Sequence, residues 1–582
     1  MQSLDPVDVV IVGAGWAGMI MAKEIATRTA LSVLVLERGG PFRGLAAYAE
    51  EMDEIDTQLR FRRMESAAEG VFTSRSSYKD RANPIRQFGD YHPGTGVGGS
   101  SEHWGGTSPR FLPEAFTLAT HLKEIHGVPK LPDDLTIQDW GITWKDIEPC
   151  YWRAEQMMGT CGKAGNLNGE KIEGGNTFEG PRSHEFPNPP HVMPHMPLLF
   201  AKASKELGYH PFPLPCSVLS RNYVSPDGVA RVACQFCGRC AFYGCMVGAK
   251  ASPSSALLPV LEKTKNFKVR TGSRVRRVVH RDGKAVGVSY VDDAGKEFMQ
   301  PADVVMLSAW ALNNARLLML SGIGAQYDPV TGKGTLGKNA TYYVHSFCDF
   351  FLDKPQNNFM GGGGMGMAIG DFSGDLPANG AAAGAYRGGT ITAPARGIGP
   401  IVYFGRIPED ESHTNWGSAW KKAVLKWHDK SVVFLCGSTH FAYRGNYMDL
   451  DPTYKDRWGD PLLRMTMDWA DADRKRDAFI TKKAAEIAKA MGATGIRARL
   501  TTNRPPGTGS DHSHGGTIMG TSPETSVLNP YLQHWKIPNL WVLGASAFPL
   551  GEPTATLTIA AVSYWAADAF IDRYVKRPGE LA

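Results

Sequence analysis

The chain lacks several features that would place it in other classes of protein. No apolar run approaches the ~18 residues that a membrane-spanning helix needs. The opening residues, MQSLDPVDVV, lack the basic segment, apolar core and cleavage site of an export leader. An export signal or membrane span carried by the chain itself is therefore not expected. Charge of one sign is not in excess: 63 Lys and Arg against 58 Asp and Glu leave a net +5. Spread over a surface this large, that is no footprint for nucleic acid or another polyanion. A disulfide framework is missing too. The nine cysteines are odd in number, with Cys150, Cys161, Cys216, Cys348 and Cys436 scattered and four crowded between Cys234 and Cys245. That pattern favours a metal centre over paired bridges. No internal repeat is evident.

What is present begins with size. At 582 residues and 42% hydrophobic content the chain can bury a large core and is too long for one simple domain. Residues 7–12, VDVVIV, form a continuous apolar run, MIMAKEIATR has helical spacing, and LSVLVLE reads as a second buried strand. Between strand and helix lie Gly13, Gly15 and Gly18, spaced as in a dinucleotide-binding turn. There the first glycine makes the bend, the second lets backbone approach a pyrophosphate, and the third lets helix and strand pack closely. Unpaired N–H groups at the helix N-terminus favour the anion. Glu37 ends the second strand where a carboxylate can accept hydrogen bonds from both ribose hydroxyls.

Further on, residues 40–220 are broken by Pro, Gly and Asn around short helices such as TWKDIEPCYWRAEQMM and PLLFAKASKELG. Residues 263–309 read as strands joined by tight DG and AG turns, ending in VVMLSA and the helix LNNARLLMLSG. Residues 360–400 are rich in Gly and Ala. Up to about residue 500, strand-like SVVFLCG accompanies the amphipathic helix ADRKRDAFITKKAAEIAKAMG. The last strand, NLWVLGAS, precedes a long helix from about Thr556 to Tyr574. The expected organisation is a nucleotide-binding domain in two parts, 1–330 and 501–582, around a second domain at 331–500.

Cys234, Cys237, Cys240 and Cys245 run C-x2-C-x2-C-x4-C. Structural zinc usually takes two close pairs separated by a longer spacer, and none exists here. The run is nearer the closely spaced thiolates that hold iron–sulfur clusters in bacterial ferredoxins. In SDHSHGGTIMG, His512 and His514 sit in a polar, glycine-rich loop before the last strand. An imidazole with an ordinary pKa near ~6.5 can take a hydroxyl proton at neutral pH.

GTGVGGSSEHWGGTSPRF at 94–111 and NLWVLGASAFP at 539–549 resemble the flavin-binding segments of the glucose–methanol–choline (GMC) oxidoreductases. The resemblance runs from end to end and is strongest toward the bacterial gluconate 2-dehydrogenase flavoproteins and related glucose, fructose and glucoside dehydrogenases. It implies an α/β fold: a Rossmann-like FAD-binding domain with an α+β substrate domain built on an antiparallel sheet. It places Gly98, Gly99 and Ser100 along the pyrophosphate and isoalloxazine, with Gly544 and Ala545 closing over the cofactor. His103 corresponds to the position that in pyranose oxidases bonds the flavin covalently; the alternative is a histidine that only hydrogen-bonds near the ring. The family's second signature is partly kept at 312–324, where Asn313, Asn314 and Ala315 replace the usual residues.

The family motif H-x-x-G-x-x-x-M-G matches His512, Gly515, Met519 and Gly520 and makes His512 the catalytic base. Thr554 stands where the family has the Asn or His partner, so either His512 acts with less help or Glu552 moves in. That departure leaves a glucoside 3-dehydrogenase-like activity open beside a gluconate-like one. Relatives in this group carry a 3Fe–4S cluster at the cysteine run, with Cys240, Cys245 and either Cys234 or Cys237 as ligands. A flavin takes two electrons as hydride and a cluster passes them singly, so the resemblance implies a dehydrogenase. Alternatives are a lyase that holds FAD without redox use and an oxygen-using oxidase. The resemblance also implies a small subunit bearing the export signal, a cytochrome acceptor and a periplasmic location reached by co-export, against a cytoplasmic alternative. Contact with the membrane would be through partners only.

Overall fold

The computed structural model of the chain describes residues 2–49, 72–84, 94–127, 131–356, 361–362, 364–377, 383–395, 406–409, 411, 416–504 and 512–581. The continuous apolar run becomes the strand Val7–Val12, with Val9, Val10 and Ile11 fully buried. Burial on both faces is what a central parallel strand requires. It lies between Val33–Leu36 and the second half of Glu297–Leu307, with Phe267–Arg270 and Leu540–Val542 outside them, all parallel. The C-terminal strand thus completes a sheet begun at the N-terminus. The helix Trp16–Arg28 packs against Thr556–Ala569, which packs in turn against Trp144–Met158. Asp568 ties the three together by ion pairs to Arg28 and Arg153.

Glu297–Leu307 serves two layers. Its first half pairs antiparallel with Lys284–Val291, which pairs with Arg274–Arg281 through the DG turn. Asp282 (φ 51°) and Gly283 (φ 73°) are both left-handed there, as a two-residue hairpin turn matching strand twist demands.

A second sheet has six antiparallel strands in the order Thr494–Arg499, Val344–Phe351, Ser431–Ser438, Gly389–Pro394, Gly366–Ile369 and Pro211–Pro213. Its helices, Asp471–Ala490 and His195–Glu206, bury Ile480, Ala484, Ile487, Met196 and Phe200 against Cys348, Phe350, Val432 and Phe434. Alternation along Val344–Phe351 sends Cys348 and Phe350 into that core, and His345 and Phe347 to the opposite face. The opposite face looks onto a cavity whose other wall is the end of the parallel sheet. Part of the Gly- and Ala-rich stretch, including residues 378–382, lies outside the described residues. The final helix turns from α to π geometry at Phe570–Tyr574.

Candidate active site

The cavity measures about 810 Å³ and is lined from both sheets. It begins at the glycine turn. Gly13 has φ 102°, and a Cβ there would stand 2.3 Å from the Ser308 carbonyl oxygen; a Cβ at Gly18 would stand 2.2 Å from the Gly13 oxygen. Those two glycines are steric necessities of the turn. At Gly15, the residue before the helix, nothing lies within 4 Å of a would-be Cβ. The space left open is where backbone N–H groups meet a pyrophosphate, so this cradle fits a dinucleotide.

Glu37 is buried beside it. Its Oε2 accepts from the Ala14 N–H at 3.0 Å, and its Oε1 accepts from Gly39 (2.8 Å) and Gly96 (3.2 Å). A carboxylate offers about four acceptor sites, so one remains for a ribose hydroxyl. The same bonds fasten the 94–102 segment over the turn, and the Gly98 N–H adds another to the Ala14 carbonyl at 2.9 Å. Gly98 is left-handed (φ 101°), a Cβ on it would strike the Glu102 carboxylate, and Gly99 lies against Gly15. Ser100 Oγ accepts from the Gly94 N–H at 2.8 Å. His103 is buried and lines the cavity with Trp104, Gly105 and Gly106.

Gly544 (φ 89°) and Ala545 line the cavity from the C-terminal strand. Sequence reasoning missed the residue that fixes them. Asn314, fully buried, donates to the Leu543 carbonyl (2.8 Å) and Ser546 Oγ (3.0 Å) and accepts from the Ala309 N–H (2.8 Å). Its signal was the very departure from the family signature at 313–315. The amide joins two strand ends that a hydroxyl and a proline could not join in this way.

The histidine loop is described from His512 onward; Ser510 and Asp511 lie outside the described residues. Gly515, Thr517 and Met519 donate to the carbonyls of Ala545, Ser546 and Ala547, which lays the loop along the cofactor-closing turn. His512 lines the cavity with its ring edge-on to Tyr343, centroids 4.8 Å apart at 88°. His514, two residues on, is fully buried, exchanges backbone hydrogen bonds with Thr341 and stacks on Phe548. Burial, with the nearby His512 and His440, pushes its pKa down to about 3. Both histidines line the cavity, His514 from a buried position that disfavours its charged form.

Thr554 lines the same cavity at φ 57°, a conformation that a β-branched residue adopts only under constraint. Three residues before it, Gly551 exchanges backbone hydrogen bonds with His440. Glu552 is buried, and Thr439 donates to its Oε1 at 2.8 Å. Burial raises its pKa, opposed by Arg387. One Glu552 oxygen is thereby engaged by Thr439, and both Glu552 and His512 line the cavity.

The cysteine loop borders this cavity. Ala241 and Phe242 form part of its wall, and the Phe242 N–H donates to the His103 carbonyl at 2.7 Å. Cys240 is buried, Cys234 and Cys245 are half-buried and Cys237 is exposed. Burial pushes the Cys234 thiol up to about 12, with the other three cysteines adding in the same direction. Among the described residues, however, no three His, Cys, Asp or Glu side chains are gathered into a metal-holding group.

Comparison with known proteins agrees with this geometry. GMC oxidoreductase profiles match residues 200–342 and 442–563, and an FAD-binding domain profile matches 8–51. The chain belongs to the GMC oxidoreductase family: FAD enzymes that oxidise CH–OH groups. It is 38% identical, over its whole length and 96% of the relative's, to the gluconate 2-dehydrogenase flavoprotein of Pantoea cypripedii. It is 26% identical to the fructose dehydrogenase large subunit of Gluconobacter japonicus, covering 97% of this chain and 98% of that one. The fold is shared with pyridoxine 4-oxidase from Mesorbium loti, at a TM-score of 0.60 and 16% identity over 97% of this chain and 99% of that one.

Proposed function

We propose that the protein is a dehydrogenase for a secondary alcohol of a sugar, glycoside or sugar acid, and that its electrons leave singly through an iron–sulfur cluster on the cysteine loop. The observation that carries the proposal is that dinucleotide cradle, His512, Thr554 and the wall formed by Ala241 and Phe242 all border one cavity. The names of the gluconate and fructose dehydrogenase relatives support the substrate class. So do Thr390, Thr392, Thr501 and Arg387, which offer the polar lining that a polyol or its carboxylate requires. The cluster rests on the C-x2-C-x2-C-x4-C spacing, and no step below passes through it.

When bound, FAD supplies the hydride acceptor. The protein's own groups do the rest. His512 takes the substrate hydroxyl proton on a ring nitrogen as the carbon loses its hydride, and Tyr343 holds the imidazole plane. The Thr554 hydroxyl, fixed by its constrained backbone, orients the reacting oxygen. His514 is a poor acceptor for that proton, because burial disfavours its charged imidazolium. His103 stands in the wall either as a covalent tether for the flavin or as a hydrogen-bonding neighbour. A partner subunit is supported by the relative named as a large subunit; a cytochrome acceptor and a periplasmic location by co-export rest on the family resemblance alone.

The test is an oxygen-free screen of aldonates, hexoses, ketohexoses and glycosides with an artificial dye acceptor. The proposal expects turnover with at least one class and a ketone product; turnover confined to non-sugar alcohols would overturn it.

A further inference from the structure

Arg387 is 1% exposed and lines the cavity just before the strand Gly389–Pro394. Arg476, fully buried on the helix Asp471–Ala490, sets it in place. Its Nε donates to the Arg387 carbonyl (3.0 Å), its Nη1 to the Thr439 carbonyl (2.7 Å) and its Nη2 to the Ala385 carbonyl (2.9 Å). Asp473 neutralises Arg476 at 2.8 Å. The Arg387 side chain is left with unmet donors: Nε and Nη1 are buried and have no hydrogen-bond partner. Glu114 stands 3.4 Å from Nη1, an ion pair without hydrogen-bond geometry. Ser438 Oγ, beside Thr439 and in the same cavity wall, is buried without a partner as well. Orphaned donors on a buried guanidinium are costly unless something in the cavity accepts from them.

Glu552 borders the same space, 8% exposed, with one oxygen taken by Thr439. Burial raises its pKa and Arg387 opposes that shift, yet the two side chains form no ion pair with each other. Opposite charges held apart on one cavity wall call for a group that accepts from the first and donates to the second. A hydroxyl does both, and it can also accept if Glu552 carries a proton. An ionised carboxylate accepts only, so it fits beside Glu552 in the protonated form alone. The charge count points the same way. Glu114 and Glu552 already answer Arg387, and Asp473 answers Arg476, which leaves no cation over for a further anion.

We propose that Arg387 and Glu552 are the specificity-determining pair of this site: the guanidinium donates to, and the carboxyl accepts from, hydroxyls on a part of the sugar away from the reacting carbon. The inference rests on the sugar-alcohol reading proposed above and adds that the feature selected here is an uncharged hydroxyl pair, not an acid group. Glu552 shares its loop with Thr554, so the segment that orients the reacting oxygen also reads the distal hydroxyls. A substrate without those hydroxyls leaves a buried guanidinium and a buried carboxyl unpaired. It is rejected through the partners it fails to satisfy.

The test uses the FAD-loaded full-length protein and its Arg387→Met and Glu552→Gln variants. Methyl α-D-glucopyranoside, D-glucose, D-fructose and D-gluconate are compared, each with its singly deoxygenated analogues, in oxygen-free solution with a dye acceptor. The wild type should lose kcat/KM by roughly 10- to 150-fold on at least one deoxygenated analogue of a substrate that it turns over. In Arg387→Met that preference should collapse to about twofold or threefold, a coupling that a merely structural role does not produce. Glu552→Gln replaces a charged acceptor by a neutral one and should narrow the preference several-fold. If Arg387→Met fails to fold, Glu552→Gln decides. A wild type without the preference, or a preference that survives in the folded variants, overturns the inference and leaves the sugar reading standing. So does a collapse confined to the preference for D-gluconate over D-glucose, which would assign the pair to a carboxylate. Flavin bleaching slowed by ~100-fold or more in Glu552→Gln with every substrate and analogue alike would make Glu552 the base and overturn it too. Turnover of none of these sugars overturns the sugar reading and the inference with it.

Discussion

Replacing Gly15 with alanine adds one methyl group at a point where the protein offers nothing within 4 Å. Gly15 has φ −82°, which any residue adopts, so the substitution costs the FAD-free protein about 0.5–1 kcal/mol, the loss of a favourable helix N-cap residue. Gly13→Ala and Gly18→Ala differ. At Gly13 the left-handed backbone costs ~1–2 kcal/mol and the close contact with Ser308 about 1–3 more. The methyl at Gly15, by contrast, stands where phosphate oxygens approach the backbone. Losing one charge-assisted hydrogen bond there costs ~1.5–3 kcal/mol, or roughly 10- to 150-fold in FAD affinity. Urea unfolding of flavin-free protein and titration with FAD by fluorescence quenching separate the two quantities. If Gly15→Ala destabilises the flavin-free protein as much as Gly13→Ala does, or binds FAD at wild-type affinity, the assignment of this space to the pyrophosphate is wrong.

Other expectations follow from the same geometry. His512→Ala should keep FAD bound and slow substrate-driven flavin reduction by ~100-fold or more, measured by anaerobic stopped flow, since it removes the base and not the cradle. His514 has a folded pKa of about 3 against an ordinary 6.5, so the unfolded chain binds its proton first as pH falls. Stability should therefore decline from about pH 6.5 downward, by at most ~1.4 kcal/mol per unit from this group. In urea titrations across that range, His514→Gln should show a shallower decline. Thr554→Gly relieves the left-handed strain and should raise the melting temperature while lowering kcat, since the orienting hydroxyl is lost.

The N-terminal unit was readable because each signal agreed: an unbroken apolar run for a strand buried on both faces, then glycines, then helical spacing. The DG hairpin was equally plain, since Asp282 and Gly283 tolerate the required positive φ. The six-stranded sheet was less so. Its edge strand, Pro211–Pro213, and its helix His195–Glu206 come from far upstream of the other strands, and three residues with two prolines carry no strand periodicity. The catalytic loop showed two histidines two positions apart with nothing to rank them except a family motif. Only packing reveals that His514 is buried against Phe548 while His512 is half-buried. The cysteine spacing was legible, whereas the loop's contact with residues 103–106 runs through the Phe242 N–H and the His103 carbonyl, which tertiary folding alone brings together.

The account stands most directly on one anaerobic experiment, in which FAD-loaded protein is mixed with an excess of the best sugar-derived substrate and no electron acceptor. The account predicts that the flavin absorbance bleaches fully, with one ketone formed per two electrons stored in the protein, and then stops until an acceptor is added. Continued product formation with the flavin oxidised throughout would contradict it and make the protein a non-redox member of the family.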